Sequence, residues 1–175
     1  MIMKEEILEV VDRQGRIIGS APRSVIHADP TLIHRVVHVF VFHTDGRLLL
    51  QKRSKSKDLY PGRWDTSVGG HVSPGEDTLA AALREMREEL GISRDSLTFL
   101  SSHIFEGSHE TELVCAYSCL HDGPFLQNTE EIDELRYWSF EEIGNALGRD
   151  VFTPNFEVSY ARCLSRTKSS GTRNH

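Results

Sequence analysis

The chain has few cysteines, and their spacing argues against a zinc cage and a disulfide framework. Only three occur in 175 residues: Cys115, Cys119 and Cys163. Their number is odd and no two of them form a CxxC pair, which is typical of reduced thiols in a cytoplasmic protein. We therefore expect buried thiols that take no part in chemistry.

Long apolar runs and an excess of positive charge are also absent. The first ten residues, MIMKEEILEV, are charged and have no long apolar core, so neither export nor a membrane span is expected. The formal net charge is −6, from 26 acidic and 20 basic side chains. This balance argues against binding a nucleic acid polymer through its backbone, but a small anionic ligand remains compatible if cations are placed locally.

The length and composition are sufficient for one domain with its own core. The chain has 175 residues, of which 38% are hydrophobic, too few for two comfortable domains. We predict a single domain over residues 1–166. The remaining polar stretch, TKSSGTRNH at 167–175, is expected to be a disordered tail.

The order of apolar runs and turns predicts a mixed α/β domain with one sheet between helices. A first hairpin is expected around DRQG at 12–15, and a second around Asp45-Gly46, the strongest hairpin signal in the chain. Residues 58–77 are rich in Gly, Pro, Ser and Asp and read as loop, with a short strand at 66–68. Strand-like segments are expected at 96–105, 111–120 and 134–140, and helical ones at 139–148 and 155–166.

A helix is predicted to follow the loop. Ser73 is a plausible first residue with Glu76 as its capping-box partner, and Gly91 is a plausible C-terminal stop. At about 100° per residue, the carboxylates of Glu85, Glu88 and Glu89 share an arc roughly 130° from the apolar one. The apolar stripe expected to face the core consists of Leu79, Leu83, Met86 and Leu90. Taken alone, the acidic strip is typical of a solvated helix face.

Residues 70–92, GHVSPGEDTLAAALREMREELGI, resemble the Nudix box at every defining position. Gly70 is followed after five residues by Glu76, after seven more by Arg84-Glu85, and then by Glu88-Glu89 and Gly91. Seven fixed identities coincide by chance at one chosen site with a probability on the order of 10⁻⁹. The resemblance implies the Nudix fold, an α/β/α sandwich around a mixed sheet. It also implies metal-dependent cleavage of a diphosphate linkage in a substrate of the nucleoside diphosphate-X kind.

The chemistry of the acidic strip agrees with this resemblance. Like-charged carboxylates on one helix face repel one another, and a hard cation with oxygen ligands, Mg²⁺ or Mn²⁺, removes the penalty. The predicted metal site comprises Glu85, Glu88 and Glu89, with Gly70 added because its carbonyl can serve as a ligand in the family. We predict Glu85 or Glu88 as the general base, with Glu112 as the alternative.

Arg84 and Glu76 have supporting roles in the expected site. Arg84 lies four residues before Glu88, within helical reach. The resemblance implies that Arg84 orients a glutamate of the box by a salt bridge. Glu76 is expected to organise the start of the helix and the loop rather than to bind metal directly.

A second group of residues narrows the resemblance. The group consists of His27, His34, His71, Glu110 and Glu112. Together these residues resemble the metal-binding set of type I isopentenyl-diphosphate isomerase, a Nudix-fold enzyme. They either bind a second metal ion, for which Mn²⁺ or Zn²⁺ suits mixed His/Glu ligands better than Mg²⁺, or form a hydrogen-bonded scaffold.

The stretch before the box also resembles that isomerase, with one departure. Arg53 and Lys57 fall on its phosphate-contacting arginine and lysine, so we predict that they bind the substrate diphosphate. Where the isomerase has its catalytic cysteine, this chain has Gly69. Glycine cannot supply one member of an acid–base pair, so hydrolysis is favoured over isomerisation.

Two other functions stay open: isomerase-like activity, and a non-catalytic Nudix module that binds a ligand without turnover. The sequence does not identify the substrate. Tyr60, Trp64 and Phe105 would either stack on a nucleobase or pack in the core or loops. The expected partner is a small-molecule diphosphate, with no nucleic acid polymer and no membrane. Homodimers are common in the family, and the oligomeric state is open.

Overall fold

A mixed β-sheet organises residues 5–164, the part of the chain described by this computed structural model. That part contains nine strands and four helices. In chain order they are β1 (Ile7–Val11), β2 (Ile17–Pro22), α1 (Arg23–Ile26), β3 (Ile33–Phe42), β4 (Leu48–Arg53), β5 (Trp64–Asp65), β6 (Val68–His71), α2 (Thr78–Leu90), β7 (Thr98–Glu106), β8 (Thr111–Leu120), β9 (Ile132–Trp138), α3 (Phe140–Ala146) and α4 (Pro154–Leu164). The tail predicted at 167–175 lies outside these residues.

Strand β3 is the centre of the sheet. It pairs antiparallel with β1, β4 and β6, and parallel with β8 from Ile33↔Thr111 to Phe42↔Leu120. Strands β2, β5, β7 and β9 extend the sheet from β1, β4 and β8. The segment IHRVVHVFVF is buried along almost its whole length, as expected for a strand covered on both faces.

The two faces of the sheet carry separate apolar clusters. On one face, Val37 and Val39 pack with Met86 and Leu90 of α2. On the other face, Phe40 packs against Phe156 of α4 and near Ile143 of α3. Side chains alternate across a strand, so β3 contributes to both clusters. This arrangement of helices on both faces of a mixed sheet confirms the predicted fold class.

Most predicted elements are present. The first hairpin turns at Gly15 and the second at Gly46, where φ is 81° and 91°. The segment predicted at 111–120 coincides with β8, and the described ends of the other predicted strands and C-terminal helices shift by at most two residues. Residues 165–166 of the last predicted helix lie outside the described part of the chain. The single short strand expected at 66–68 is wrong, because β5 and β6 lie on either side of a break at 66–67.

The predicted start of the central helix is also wrong. Helix α2 begins at Thr78, and the Asp77 side chain accepts a hydrogen bond from the Ala80 amide at 2.9 Å. Gly75, with φ of 77°, places the preceding residues in a turn, and the Glu76 carboxylate accepts from the Ser73 amide at 3.0 Å. The expected capping-box contact therefore closes a turn of the loop. The stop at Gly91, with φ of 68°, is confirmed.

The buried face of α2 differs from the predicted stripe. Leu79 and Leu83 are only half-buried. Small alanines bring the helix close to the sheet, so its buried arc is displaced. The fully buried side chains are Ala81, Ala82, Met86, Glu89 and Leu90.

The cysteine and aromatic side chains test further predictions from the sequence. The three cysteines are free, as predicted, but each is only partly buried, where buried thiols were expected. Trp64 and Phe105 are 8% and 7% exposed and belong to the core, whereas Tyr60 is half-buried. Within residues 5–164, no helix has the length and apolar character needed to cross a membrane.

Candidate active site

Arg84 links the loop before α2 to the acidic face of the helix. Its Nε and Nη2 atoms donate to the two carboxylate oxygens of Glu76 at 3.0 and 2.9 Å. Nη1 donates to Glu85 at 2.6 Å and to Glu88 at 3.2 Å, and Nη2 also donates to the His71 carbonyl at 3.0 Å. The fork of the guanidinium suits such bidentate pairing. Arg84 therefore holds three carboxylates of the box in one arrangement.

Gly70 makes room for the Glu85 carboxylate. A Cβ atom on Gly70 would lie less than 3.0 Å from the Glu85 carboxyl group. Strand β6 places Gly70 on the face toward α2, since its neighbour Gly69 faces the ring of His38 on the other side. Burial raises the pKa of Glu85, and the hydrogen bond from Arg84 opposes this rise.

Glu89 is the buried member of the acidic strip. It is only 4% exposed, and it accepts from Gln51 Nε2 at 2.8 Å and from the Gly69 amide at 3.4 Å. Burial raises its pKa well above the usual value, and the charge of Glu85 raises it further. The prediction that all three carboxylates share an unburied face is wrong for Glu89, because Glu89 borders the displaced apolar arc. The side chain of Glu88 is 53% exposed.

The loop after β8 adds a carboxylate that the sequence did not single out. The Asn128 amide donates to the Glu89 carbonyl at 2.9 Å, which docks this loop on the last turn of α2. Glu131 of the same loop lies close enough for its charge to raise the pKa values of both Glu85 and Glu89. Glu131 has no fixed spacing from the box, so the sequence carried no signal for it.

Both predicted phosphate-binding cations lie near carboxylates. Lys57 Nζ is 2.8 Å from Glu131 Oε2, and Arg53 Nη1 is 3.3 Å from Asp65 Oδ2. Arg53 also donates to the Leu59 carbonyl at 3.0 Å. Through Glu131, Lys57 borders the acidic helix. The charge of Arg53 instead lowers the pKa values of Glu110 and Glu112.

The donor set on α2 fits a hard divalent cation. Burial and repulsion from neighbouring carboxylates both raise the pKa values of Glu85 and Glu89, and a bound cation would offset both effects. The available donors are carboxylate oxygens and a nearby backbone, which suit Mg²⁺ or Mn²⁺ better than a softer metal.

The second group predicted from the sequence also comes together. The ring centroids of His27, His34 and His71 lie 5.2–5.3 Å apart. The β3–β8 pairing sets His34 opposite Glu112, and donor atoms of His34, Glu110 and Glu112 lie within 4.8 Å of one another. We call these five residues the histidine cluster.

Several atoms of the histidine cluster are buried without a hydrogen-bond partner. They include His27 Nε2, both ring nitrogens of His34, and Glu110 Oε2. His27 Nε2 and Glu110 Oε2 are 3.3 Å apart, but hydrogen-bond geometry is not met. Buried polar atoms are rarely left unpaired, so a hydrogen-bonded scaffold alone does not account for this cluster. Neutral imidazoles and carboxylates that converge in this way fit a metal ion such as Mn²⁺ or Zn²⁺.

The electrostatics of the cluster follow from burial. Burial, together with the charge of His71, lowers the pKa of His27 to about 4 and that of His34 to about 3. Burial raises the pKa of Glu110, and it raises that of Glu112 well above the usual value. The Asn155 side chain donates to the Glu112 carboxylate. His27 and His34 are therefore neutral near pH 7, the form that binds metal.

The mixed sheet between helices and the arginine-bound glutamate helix define the class of pyrophosphohydrolases built on an α/β/α sandwich. The family model for the NUDIX domain matches residues 32–156, and the chain belongs to the Nudix hydrolase family. Enzymes of this family generally use a divalent metal ion.

Named relatives and a solved structure also support membership of the Nudix hydrolase family. An uncharacterised Nudix hydrolase of Yersinia pestis is 36% identical over 161 residues, covering 92% of this chain and 87% of the relative. An isopentenyl-diphosphate Delta-isomerase of Streptomyces avermitilis is 34% identical over 156 residues, covering 86% and 79%. The crystal structure of DR0079 from Deinococcus radiodurans superposes with a TM-score of 0.78 at 28% identity, covering 91% of this chain and 99% of that one. The resemblance to the isomerase is therefore confirmed at the level of sequence.

Proposed function

We propose that this protein hydrolyses a diphosphate linkage in a small molecule of the nucleoside diphosphate-X kind, with Mg²⁺ or Mn²⁺. The observation that carries this proposal is the arrangement around Arg84, which holds Glu76, Glu85 and Glu88 together while Glu85 lies against Gly70. An exposed ion pair alone would be worth little. A network that binds three carboxylates at a glycine strand supports a preorganised metal site instead.

The metal would be held by Gly70, Glu85, Glu88 and Glu89. When bound, the ion supplies positive charge that offsets the charge developing on phosphate and acidifies the attacking water. Glu85 or Glu88 removes the proton from that water as general base. Their positions beside Arg84 support this role.

Glu112 is the weaker candidate for the general base. It is 7% exposed, bound by Asn155 and opposite His34. These surroundings support a place in the histidine cluster rather than a role in activating water for the acidic helix.

Arg53 and Lys57 bind the substrate diphosphate. Their side chains are 26% and 30% exposed, and each contacts one carboxylate, Asp65 at 3.3 Å and Glu131 at 2.8 Å respectively. A diphosphate brings a higher density of negative charge than a single carboxylate, and charge-assisted contacts to it are strong. The substrate would therefore draw both cations toward the acidic helix.

We further propose that the histidine cluster holds a second metal ion, Mn²⁺ or Zn²⁺, with a structural role. The partnerless nitrogens of His27 and His34 support this assignment. The protein would act in the cytoplasm, with no nucleic acid polymer or membrane as partner. A homodimer is compatible with this function.

Isomerase activity is the alternative favoured by the relative from Streptomyces. Gly69 argues against it, because glycine has no side chain that could act as an acid or base at that position. A non-catalytic module would bind nucleotide without turnover, and the complete box argues against it.

A screen of nucleoside diphosphate-linked compounds with Mg²⁺ and Mn²⁺, resolved by product mass, tests the proposal. We expect release of a phosphorylated product that is lost in Glu88→Gln and in Glu89→Gln. Full activity in both variants contradicts the proposal. Interconversion of isopentenyl and dimethylallyl diphosphate would instead support the isomerase, and tight binding without any product would support the ligand-binding module.

A further inference from the structure

Glu6, just before β1, reaches the outer side of the histidine cluster from the N-terminal hairpin. Its two carboxylate oxygens lie 3.3 and 3.2 Å from Nδ1 of His71. The Glu6 and His71 side chains are 43% and 18% exposed. Arg23 lies beside them, with Nη1 3.8 Å from Glu6 Oε2.

This contact selects one form of the His71 ring. An ionised carboxylate only accepts hydrogen bonds, so Nδ1 of a neutral His71 must carry the proton and donate it to Glu6. Nε2 then keeps its lone pair. Since Nδ1 is occupied, Nε2 is the His71 nitrogen left for the partnerless atoms of His27 and His34.

We propose that Glu6 is the positioning residue of the second metal site, which fixes the tautomer and orientation of His71 for metal binding. The inference rests on the second metal site proposed above and extends it to a residue outside the cluster. A carboxylate bound to the far nitrogen of a metal-ligating histidine is a common supporting arrangement. Its removal typically costs about 10–100-fold in metal affinity. The N-terminal hairpin thereby becomes part of the metal site.

The test is a titration of the metal-free full chain with Co²⁺, whose visible bands report nitrogen ligands. We expect Glu6→Ala to weaken the nitrogen-ligated Co²⁺ by about 10–100-fold. Glu6→Gln keeps an oxygen that accepts from Nδ1, so it should recover most of the affinity. The matched control is Glu5→Ala, which removes a neighbouring carboxylate bonded to the Ser24 amide at 2.8 Å without touching a histidine. Its affinity should equal that of the wild type.

A second measurement reads the tautomer without metal. Long-range proton–nitrogen NMR correlations should show His71 protonated at Nδ1 in the wild type and shifted toward Nε2 protonation in Glu6→Ala. An unchanged tautomer in Glu6→Ala would overturn the inference.

His71→Ala separates failure of the inference from failure of the site. If His71→Ala loses Co²⁺ while Glu6→Ala binds like the wild type, the metal site stands and the role of Glu6 is overturned. If His71→Ala also binds Co²⁺ unchanged, the second metal site is itself wrong, whereas the hydrolytic role of α2 is unaffected.

Discussion

Gly70 and His71, which are adjacent residues of β6, lie beside two different acidic sites. The two sites differ in whether their buried polar groups are paired within the protein. Gly70 supports the helix glutamates, which already have protein partners in Arg84 and Gln51. His71 belongs to the histidine cluster, in which several nitrogens have no partner. Because the glutamates of α2 are paired within the protein, their site can bind and release an ion together with substrate. The histidine cluster has buried nitrogens without a partner and therefore needs a permanently bound ion. We assign catalysis to the acidic helix and a structural role to the histidine cluster.

The largest expected effect distinguishes a glutamate of the acidic helix from an exposed glutamate elsewhere. Glu88→Gln removes a carboxylate of the proposed metal site and should lower the Mg²⁺-dependent rate by about 10²–10⁴-fold, the usual contribution of general-base catalysis. The control is Glu130→Gln, an exposed glutamate in the loop that carries Glu131. Steady-state assays on the substrate found by the screen measure both. Equal rates in the two variants would remove Glu88 from the site.

Gly70 and Gly69, which are neighbours on β6, allow a second comparison of the same substitution, to alanine. In Gly70→Ala the new methyl group must displace the Glu85 carboxylate, and a misplacement of about 1 Å costs about 100-fold in rate. In Gly69→Ala the nearest atom is His38 Cδ2 at 3.6 Å, an ordinary contact, so activity should stay near that of the wild type. Comparable kcat values for the two variants, with folding checked by circular dichroism, would show that Gly70 has no special role.

Metal removal tests the structural role of the histidine cluster. Zn²⁺ at 100 times its Kd should stabilise the metal-stripped protein by about 2.7 kcal/mol, which raises Tm by about 2–4 °C per kcal/mol. His34→Ala should abolish this gain, because it removes a fully buried residue of the proposed second metal site. His109→Ala, an exposed histidine beside the cluster, should keep the gain. A full gain in His34→Ala would contradict the assignment.

The smallest expected effect concerns pH and Glu89. Its folded pKa lies above the usual value of 4.5, so the protonated form contributes stability that is present below pH 4.5 and lost as pH rises through the folded pKa. In metal-free protein at pH 8, Glu89→Gln should therefore raise the free energy of unfolding by about 1–2 kcal/mol. The gain should shrink toward pH 4.5. Denaturant unfolding at both pH values measures it, and a loss of stability at pH 8 would contradict the burial argument.

The sequence predicted what depends on short-range spacing. The box from Gly70 to Gly91, the hairpin turns at Gly15 and Gly46, and the gathering of the histidine cluster all follow from local patterns or from the resemblance. The burial of Glu89 could not be predicted, because it depends on how closely Ala81 and Ala82 let the helix approach the sheet.

Contacts between segments that are far apart in the sequence could not be predicted either. Glu131 reaches the acidic helix only because its loop docks on the last turn of α2. Glu6 reaches His71 only because β1 pairs with β3 beside β6. Neither residue has a spacing that marks it. The start of α2 was misplaced for a local reason, since the Ser73–Glu76 contact that begins many helices here closes a turn.

The division of labour between the two sites is tested most directly by one pair of rates. Mg²⁺-dependent hydrolysis should be measured in parallel in Glu88→Gln and His34→Ala, each at a temperature well below its own Tm. We predict that hydrolysis is lost in Glu88→Gln and retained in His34→Ala. Hydrolysis that is lost in His34→Ala and retained in Glu88→Gln would contradict the account.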